Sequence, residues 1–169
     1  MKPETRFVAG LEVRQAGEGK PLVLTGTAMR YGDRATMGRF SETFRAGSLK
    51  PSGDGVILNV QHDRSRPLAR TPGTLKLIDG AEALRMEAEL PDTAEARDTA
   101  ALVRAGVLQG LSIEFRADGE EWDGEHRTVT SAVLGGIAVV DTGAYPGAAL
   151  EARWKAVQAS RAPLWRPGI

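Results

Sequence analysis

The chain has 169 residues, a length that suits a single domain with one sizeable hydrophobic core. Lysine and arginine together number 22, as do aspartate and glutamate, so no net charge favours binding to nucleic acid or to an anionic membrane. The absence of cysteine excludes disulfides, thiolate metal sites and a cysteine nucleophile. No apolar run is long enough to span a membrane and no signal-peptide core is present, so we expect a cytoplasmic protein.

Short segments with strand-like patterns dominate the first half of the chain. Arg6 to Val13 opens the series, and Pro21 to Met29 follows with apolar residues at alternate positions. Val56 to Val60 is a continuous apolar run, which is typical of a strand covered on both faces. Leu84 to Leu90 alternates apolar and charged residues strictly. These patterns predict a sheet.

Helical signals are concentrated between two of these strands. Asp92 and Glu95 have the spacing of a capping box, with Asp92 as the N-cap residue. The alanine-rich segment that follows reaches Ala105, and Gly106 stands where a C-terminal glycine belongs. A second, shorter helix is predicted around Ser41 to Leu49.

The second half of the chain adds further strands. Gly110 to Phe115 is predicted as one, while Thr128 to Leu134 and Ile137 to Val140 are predicted as two strands separated by a pair of glycines. Asp118 to Arg127 is polar and is predicted as a hairpin loop. Many short strands and a good helix favour a mainly β fold of the α+β type.

The final residues of the chain have no periodic pattern. Residues 156–169 combine prolines, tryptophans and arginines, which indicates a flexible C-terminal tail. Residues 1–155 would then form the single folded domain.

One histidine and one serine suggest the chemistry. His62 follows the apolar strand that ends at Val60, and Ser112 lies between bulky apolar neighbours. A histidine can take a proton from a serine hydroxyl near neutral pH, and a serine needs such a base to act as a nucleophile. His126, the second of only two histidines, lies in the polar loop and is interpreted as a solvated residue. The pair therefore predicts a serine hydrolase, with peptidase as the preferred class.

A carboxylate is needed to orient the histidine. Asp141 is our first candidate because it ends an apolar strand, and Glu114 is the second. Asp63 is a poor candidate because neighbouring residues on a strand point to opposite faces. For the oxyanion hole, the sequence offers the amides near residues 143–144 or the side chain of Arg116.

Cofactor sites are not predicted. Two separated histidines without a paired carboxylate motif make a poor metal set, and no glycine-rich phosphate loop opens a helix. The acidic loop near residue 120 lacks the spacing of a calcium-binding loop. We therefore expect neither a metal nor a cofactor.

A series of short motifs runs in order between Thr25 and Ala149. They are Gly26 to Gly32, Phe40 with Phe44 to Leu49, Gln61 to Asp63, Pro67 to Ala69, Leu84 to Leu90, Val103 to Gly106, Leu108 to Phe115, Ile137 to Asp141 and Ala144 to Pro146. In this order they resemble the prohead protease family of tailed phages, and the match is more specific than any single motif.

This resemblance implies both a fold and an activity. The fold would be similar to that of the herpesvirus assembly protease, a closed antiparallel β-barrel with flanking helices. The activity would be that of a serine endopeptidase inside the immature capsid, in the cytoplasm of the bacterial host. It would cut the scaffold or the scaffold-like N-terminal arm of the major capsid protein, and would also cut itself. Ser112 would be the nucleophile and His62 the general base.

The herpesvirus enzymes suggest two further properties. They imply self-association, so a homodimer is a candidate state. They also use a second histidine as the third catalytic member, which keeps His126 as a minor candidate for that role. No nucleic acid and no membrane are expected as partners.

The chain departs from the family pattern near the end of the match. Gly136 and Ala138 stand where the family usually has an acidic residue and a serine, and Gly143 stands where a proline is common. The alternative hypothesis is therefore an assembly or scaffold-binding module of the same fold that has lost its chemistry. A carbohydrate- or peptide-binding barrel ranks third, because 5% aromatic residues leave few stacking platforms.

Overall fold

The computed structural model of the chain describes residues 3–141, and within them it contains twelve strands and one helix. The elements in chain order are β1 Glu4–Ala9, β2 Leu11–Gln15, β3 Leu22–Arg30, β4 Ala35–Met37, β5 Phe40–Phe44, β6 Leu49–Pro51, β7 Ile57–Val60, β8 Asp63–Arg70, β9 Leu75–Asp79, β10 Ala83–Leu90, α1 Ala94–Arg104, β11 Gly110–Asp123 and β12 His126–Val140. The proposed tail at residues 156–169 lies outside the described residues.

The strands form two sheets. The larger sheet has the order β1-β11-β12-β5-β4, with β6 and β7 also paired to β12 and β8 paired to β7. The smaller sheet has the order β2-β3-β10-β9 and is antiparallel. In the larger sheet β12 runs antiparallel to β11 but parallel to β5, β6 and β7. One edge of β12 therefore receives three successive segments of the chain.

The closed antiparallel β-barrel expected from the resemblance is wrong. Among residues 3–141 no ladder joins the two sheets, and β2 and β9 remain as the edges of the smaller one. The physical reason lies in the parallel pairing along β12, which extends the larger sheet sideways as an open sheet. Its apolar face is then buried against the smaller sheet, and no strand has to close a ring.

The two sheets pack face to face through fully buried apolar side chains. Leu24 of β3 and Leu111 and Ile113 of β11 are all 0% exposed. Gly26 allows this close approach, because a Cβ at that position would lie 2.8 Å from the Leu111 side chain. Successive residues of a strand point to opposite faces, so Ser112 lies on the face of β11 that is turned away from the smaller sheet.

Several predicted strands have different limits in the structure. The strand predicted at Arg6 to Val13 is two strands, because Gly10, with a φ of +108°, carries the chain from the larger sheet to the smaller one. The two strands predicted on either side of Gly135 and Gly136 are a single strand, β12, with a register shift at this point. The predicted loop at Asp118 to Arg127 is mostly strand, and the turn is confined to residues 124–125.

The helical predictions need one correction and one adjustment. The helix predicted around Ser41 to Leu49 is wrong, since this segment forms β5 and the start of β6, both paired to β12. Pairing with a long neighbouring strand outweighs the weak local helical signal. The N-cap of α1 is Thr93, one residue after the predicted Asp92, and its side chain accepts a hydrogen bond from the Ala96 amide. Within residues 3–141, no helix has the length and apolar character to cross a membrane.

A cluster of charged side chains lies buried in the larger sheet. Glu42 is 1% exposed and accepts hydrogen bonds from Arg6 at 2.5 and 2.8 Å and from Arg127 at 3.0 Å. Glu4 accepts further hydrogen bonds from the same two guanidinium groups. Because both arginines are shared between carboxylates, the cluster ties β1, β5 and β12 together.

Candidate active site

The candidate site lies where three strands of the larger sheet run side by side. Ser112 of β11 pairs with Ala138 of β12, which pairs in turn with Asn59 of β7. Directly paired residues project from the same face of a sheet. Ser112, Ala138 and Asn59 therefore form one row on the face that is turned away from the smaller sheet.

His62 reaches this row from a strained turn. Val60 and Asp63 are paired, so Gln61 and His62 alone make the turn between β7 and β8. Their φ angles are +54° and +59°, the pattern of a type I′ turn, which normally has Asn-Gly at these positions. A positive φ costs a non-glycine residue of order 1 kcal/mol or more. Strain of this kind is typical of functional sites.

The His62 ring lies between Ser112 and Glu114. Its Nε2 atom is 2.8 Å from Ser112 Oγ, and its Nδ1 atom is 3.6 Å from Glu114 Oε2. Nδ1 is buried and has no hydrogen-bond partner within standard limits. The other carboxylate oxygen of Glu114 is 4.0 Å from Nη2 of Arg64, a side chain that is 68% exposed. Glu114 therefore faces the imidazole on one side and a solvated cation on the other.

The surroundings of Ser112 are tightly packed. Ser112 is 3% exposed, whereas the side chains of His62 and Glu114 are 27% and 23% exposed. Phe7 of β1 is the cross-strand neighbour of Ser112. The Phe7 ring also lies against Gly110, where a Cβ would approach it to 2.4 Å. The glycine before the candidate nucleophile is thus required by the close approach of β1.

A second serine–histidine pair lies elsewhere in the molecule. His126 Nδ1 is 2.8 Å from Ser41 Oγ, and the same oxygen accepts hydrogen bonds from Arg34 at 2.8 and 3.0 Å. This pair lies beside a cavity of about 300 Å³. His126 is therefore engaged with Ser41 and not with the His62–Ser112 pair.

The remaining predicted residues occupy separate places. Asp141 is exposed and follows β12 directly, three residues beyond the row that contains Ser112. At about 3.3 Å per residue this is roughly 10 Å along the strand. Asp63 accepts hydrogen bonds from the amide and hydroxyl of Ser65, which lower the pKa of its carboxyl group. Arg116 is exposed, and the amides at residues 143–144 lie outside the described residues.

Several features of this site had no signal in the sequence. The buried amide of Asn59 has no hydrogen-bond partner, and it follows from strand register alone that Asn59 shares a row with Ser112. The positive φ angles of the turn were equally hidden, since neither residue is a typical turn former. In the part of the chain that the structure describes, no group of three or more histidine, aspartate or glutamate side chains has a metal-binding arrangement.

Comparison with known proteins assigns the chain to a class. A family model described as caudovirus prohead serine protease matches residues 9–162. The chain therefore belongs to this family of capsid-maturation proteases, as the sequence motifs predicted. Among solved structures, it is similar to the bacteriophage T4 capsid assembly protease, gp21, with 13% identity and a TM-score of 0.44 over 83% of this chain and 98% of that one. A search of curated proteins finds no match.

Proposed function

We propose that the chain is an active serine endopeptidase of prohead maturation, with Ser112 as the nucleophile, His62 as the general base and Glu114 as the carboxylate that orients His62. The observation that carries the proposal is the 2.8 Å distance between Ser112 Oγ and His62 Nε2, with Nδ1 turned towards a carboxylate. Nucleophile, base and orienting group then stand in the order that acyl transfer requires.

The geometry supports a complete proton path. The Ser112 hydroxyl donates its hydrogen bond to Nε2, so the proton passes to the imidazole as Oγ attacks the peptide carbonyl carbon. The same proton then moves from Nε2 to the leaving amine as the C–N bond breaks and an acyl ester forms on Ser112. A water molecule, deprotonated by His62, attacks the ester and releases the new carboxyl terminus. Ser112 recovers its proton from His62, and the cycle closes.

Glu114 suits the orienting role better than Asp141 does. If Nε2 accepts the serine proton, Nδ1 carries the other hydrogen, and a buried N–H requires an acceptor. Glu114 Oε2 lies 3.6 Å from this atom, a separation that catalytic hydrogen bonds often show before substrate is bound. Its negative charge would also stabilise the imidazolium that forms during the reaction.

The Ser41–His126 pair is a weaker candidate despite an equal distance. Two N–H groups of Arg34 point at Ser41 Oγ. They occupy the lone pairs that a nucleophile needs, and the hydroxyl proton is left to bond His126. We therefore assign this pair a structural role in joining β5 to β12.

The proposed substrates follow from the family. They are the scaffold or the scaffold-like N-terminal arm of the major capsid protein, cut inside the immature capsid in the host cytoplasm. Self-cleavage in residues 156–169 belongs to the same proposal, as does a homodimer. The alternative is an assembly module without chemistry, which would bind the capsid protein and leave it whole.

The test is the intact mass of the major capsid protein from the same genome, co-expressed with each form of the chain. Wild type should yield a shortened capsid subunit, while Ser112→Ala and His62→Ala should yield the full-length one. Ser41→Ala is the matched control and should cleave like wild type. Full-length capsid protein with all four forms, in capsids that still assemble, would favour the assembly module. Cleavage by Ser112→Ala would overturn the assignment of the nucleophile.

A further inference from the structure

We propose that Gly136 is a positioning residue, whose missing side chain leaves the space in which the Glu114 carboxylate faces His62. This inference rests on the proposed function, because it concerns the carboxylate assigned above to orient the general base. It adds that the orientation of His62 by Glu114 requires a residue without a side chain on the neighbouring strand, β12.

Strand register places Gly136 directly beside Glu114. The two residues are cross-strand partners in the β11–β12 ladder, just before its register shift. Gly136 also pairs with Ile57 of β7 on its other side. Glu114 thus has no side chain next to it on β12, and its carboxylate can lean over that strand towards the imidazole.

The clearance at this position is specific to the carboxylate. A Cβ at residue 136 would lie 3.1 Å from Glu114 Oε2, the same oxygen that faces His62 Nδ1. The next nearest atoms, Glu114 Cβ and the Ile57 carbonyl oxygen, would both be 3.6 Å away, which is ordinary van der Waals contact. A methyl group here would therefore displace the end of a flexible side chain and leave the backbone in place.

Backbone conformation does not require glycine at this position. The φ angle of Gly136 lies outside the left-handed region in which glycine is favoured. A glycine inside a strand weakens the strand by roughly 0.5–1 kcal/mol relative to alanine. Replacement by alanine should thus preserve or raise stability while it separates Glu114 from His62. A displaced carboxylate would move towards Arg64 or solvent.

The experiment measures the rate at which diisopropyl fluorophosphate labels Ser112 in the full chain. Gly136→Ala should slow labelling about tenfold to hundredfold, because small displacements of catalytic groups have effects of that size. Its melting temperature should equal or exceed that of wild type. Gly135→Ala is the matched control: its Cβ would have no neighbour closer than 3.9 Å, so labelling should stay within about twofold of wild type.

A double variant separates positioning from structure. In a Glu114→Gln background, Gly136→Ala should add less than about a twofold loss, because the group through which it acts is already gone. Wild-type labelling by Gly136→Ala would overturn the inference. An equal loss in both backgrounds would also overturn it, since Gly136 would then act independently of Glu114.

A second readout does not depend on reactivity. The nitrogen NMR signals of His62 report which ring nitrogen carries the hydrogen. Wild type and Gly135→Ala should hold the Nδ1–H tautomer, and Gly136→Ala should show a mixture. If wild-type Ser112 is not labelled at all, the proposed function fails, while this comparison still decides the role of Gly136. Identical tautomers in all three proteins would refute it.

Discussion

The general base of the proposed site is held by an unfavourable backbone. Gln61 and His62 both have positive φ angles, which are uncommon for residues other than glycine. The conformation persists because the flanking residues Val60 and Asp63 are paired and leave only two residues for the turn. This strained turn brings the His62 ring next to Ser112. Neither angle could be predicted from the sequence, which shows residue types and spacing only.

The choice between the two candidate carboxylates also depended on geometry. Asp141 ends an apolar strand, which is a strong local signal, whereas Glu114 looks like an ordinary strand residue. Only the register of β11 against β12 shows that the Glu114 side chain can cross over Gly136 to reach His62. His62 and Ser112 themselves were predicted from residue type and the family motifs.

A pair of isosteric substitutions compares the two carboxylates. Glu114→Gln should slow cleavage of the capsid protein by about 10²- to 10⁴-fold, because an amide neither fixes the same tautomer nor stabilises the imidazolium. Asp141→Asn should change the rate by less than about threefold. The measurement is single-turnover cleavage followed by mass spectrometry, with circular dichroism as the check on folding. A larger loss of rate with Asp141→Asn than with Glu114→Gln would assign the orienting role to Asp141 instead.

Among the elements, β12 explains most of the differences between prediction and structure. Its fifteen residues pair with β11 on one side and with β5, β6 and β7 on the other. The Gly135-Gly136 pair indicated a break between two strands, but the ladder absorbs it as a register shift. The same strand pairs with β5 and β6, on either side of a short turn, where a helix was predicted. Local patterns identified only part of the strands, missing β4, β8 and β9, and they contain no information about which strand pairs with which.

Strand β7 contains a buried polar side chain that should lower the stability of the fold. Asn59 is 1% exposed, and neither its amide nitrogen nor its oxygen has a hydrogen-bond partner. Unpaired buried polar groups cost about 1–3 kcal/mol. Asn59→Leu, which keeps the branched shape and the number of side-chain heavy atoms, should therefore raise the free energy of unfolding by up to about this amount, measured by urea denaturation.

Its control uses the cross-strand neighbour of Asn59. Ala138→Ser should stabilise the wild-type chain by giving the amide a partner, and should be less favourable in the Asn59→Leu chain, where that partner is gone. An equal effect of Ala138→Ser in both backgrounds would show that the two positions do not interact.

At the scale of the fold, residues 3–141 form two packed sheets, and the buried charged cluster makes the stability depend on pH. Burial tends to raise the pKa of Glu4, but hydrogen bonds and charge from Arg127 and Arg6 outweigh it, so the pKa is lowered. A lowered carboxyl pKa contributes stability above the unfolded value, about 4.3, and this contribution is lost as pH falls through the folded value. The cluster should therefore weaken in acid.

Glu4→Gln tests this dependence. At pH 7 the variant should be less stable by about 1 kcal/mol, because charge-assisted hydrogen bonds are lost at a partly exposed site. As pH falls from the unfolded value through the lowered folded pKa of Glu4, the stability curves of variant and wild type should converge, since wild-type Glu4 is protonated below that folded value. Glu12→Gln, at an exposed position of β2, should track wild type throughout. Parallel curves for Glu4→Gln and wild type would contradict the argument.

At this scale the family and the mainly β class were predictable, whereas the open arrangement of the sheets was not. Strand patterns indicate a mainly β class, although the structure has more strands than the patterns predicted, and the family motifs give the class of protein. Whether the edges of the sheets close into a barrel depends on long-range strand pairing, and in this fold the pairing along β12 determines it.

The position of β12 in the chain also has a consequence for the timing of synthesis. His62 precedes Ser112 by 50 residues, and the strand that joins their two strands, β12, follows both. On the ribosome the nascent chain therefore lacks the connection between base and nucleophile until about residue 140 has emerged. A two-stranded β7–β8 hairpin is at best marginally stable alone. Under the proposed function, the catalytic pair would therefore stay unassembled during most of the translation of the chain.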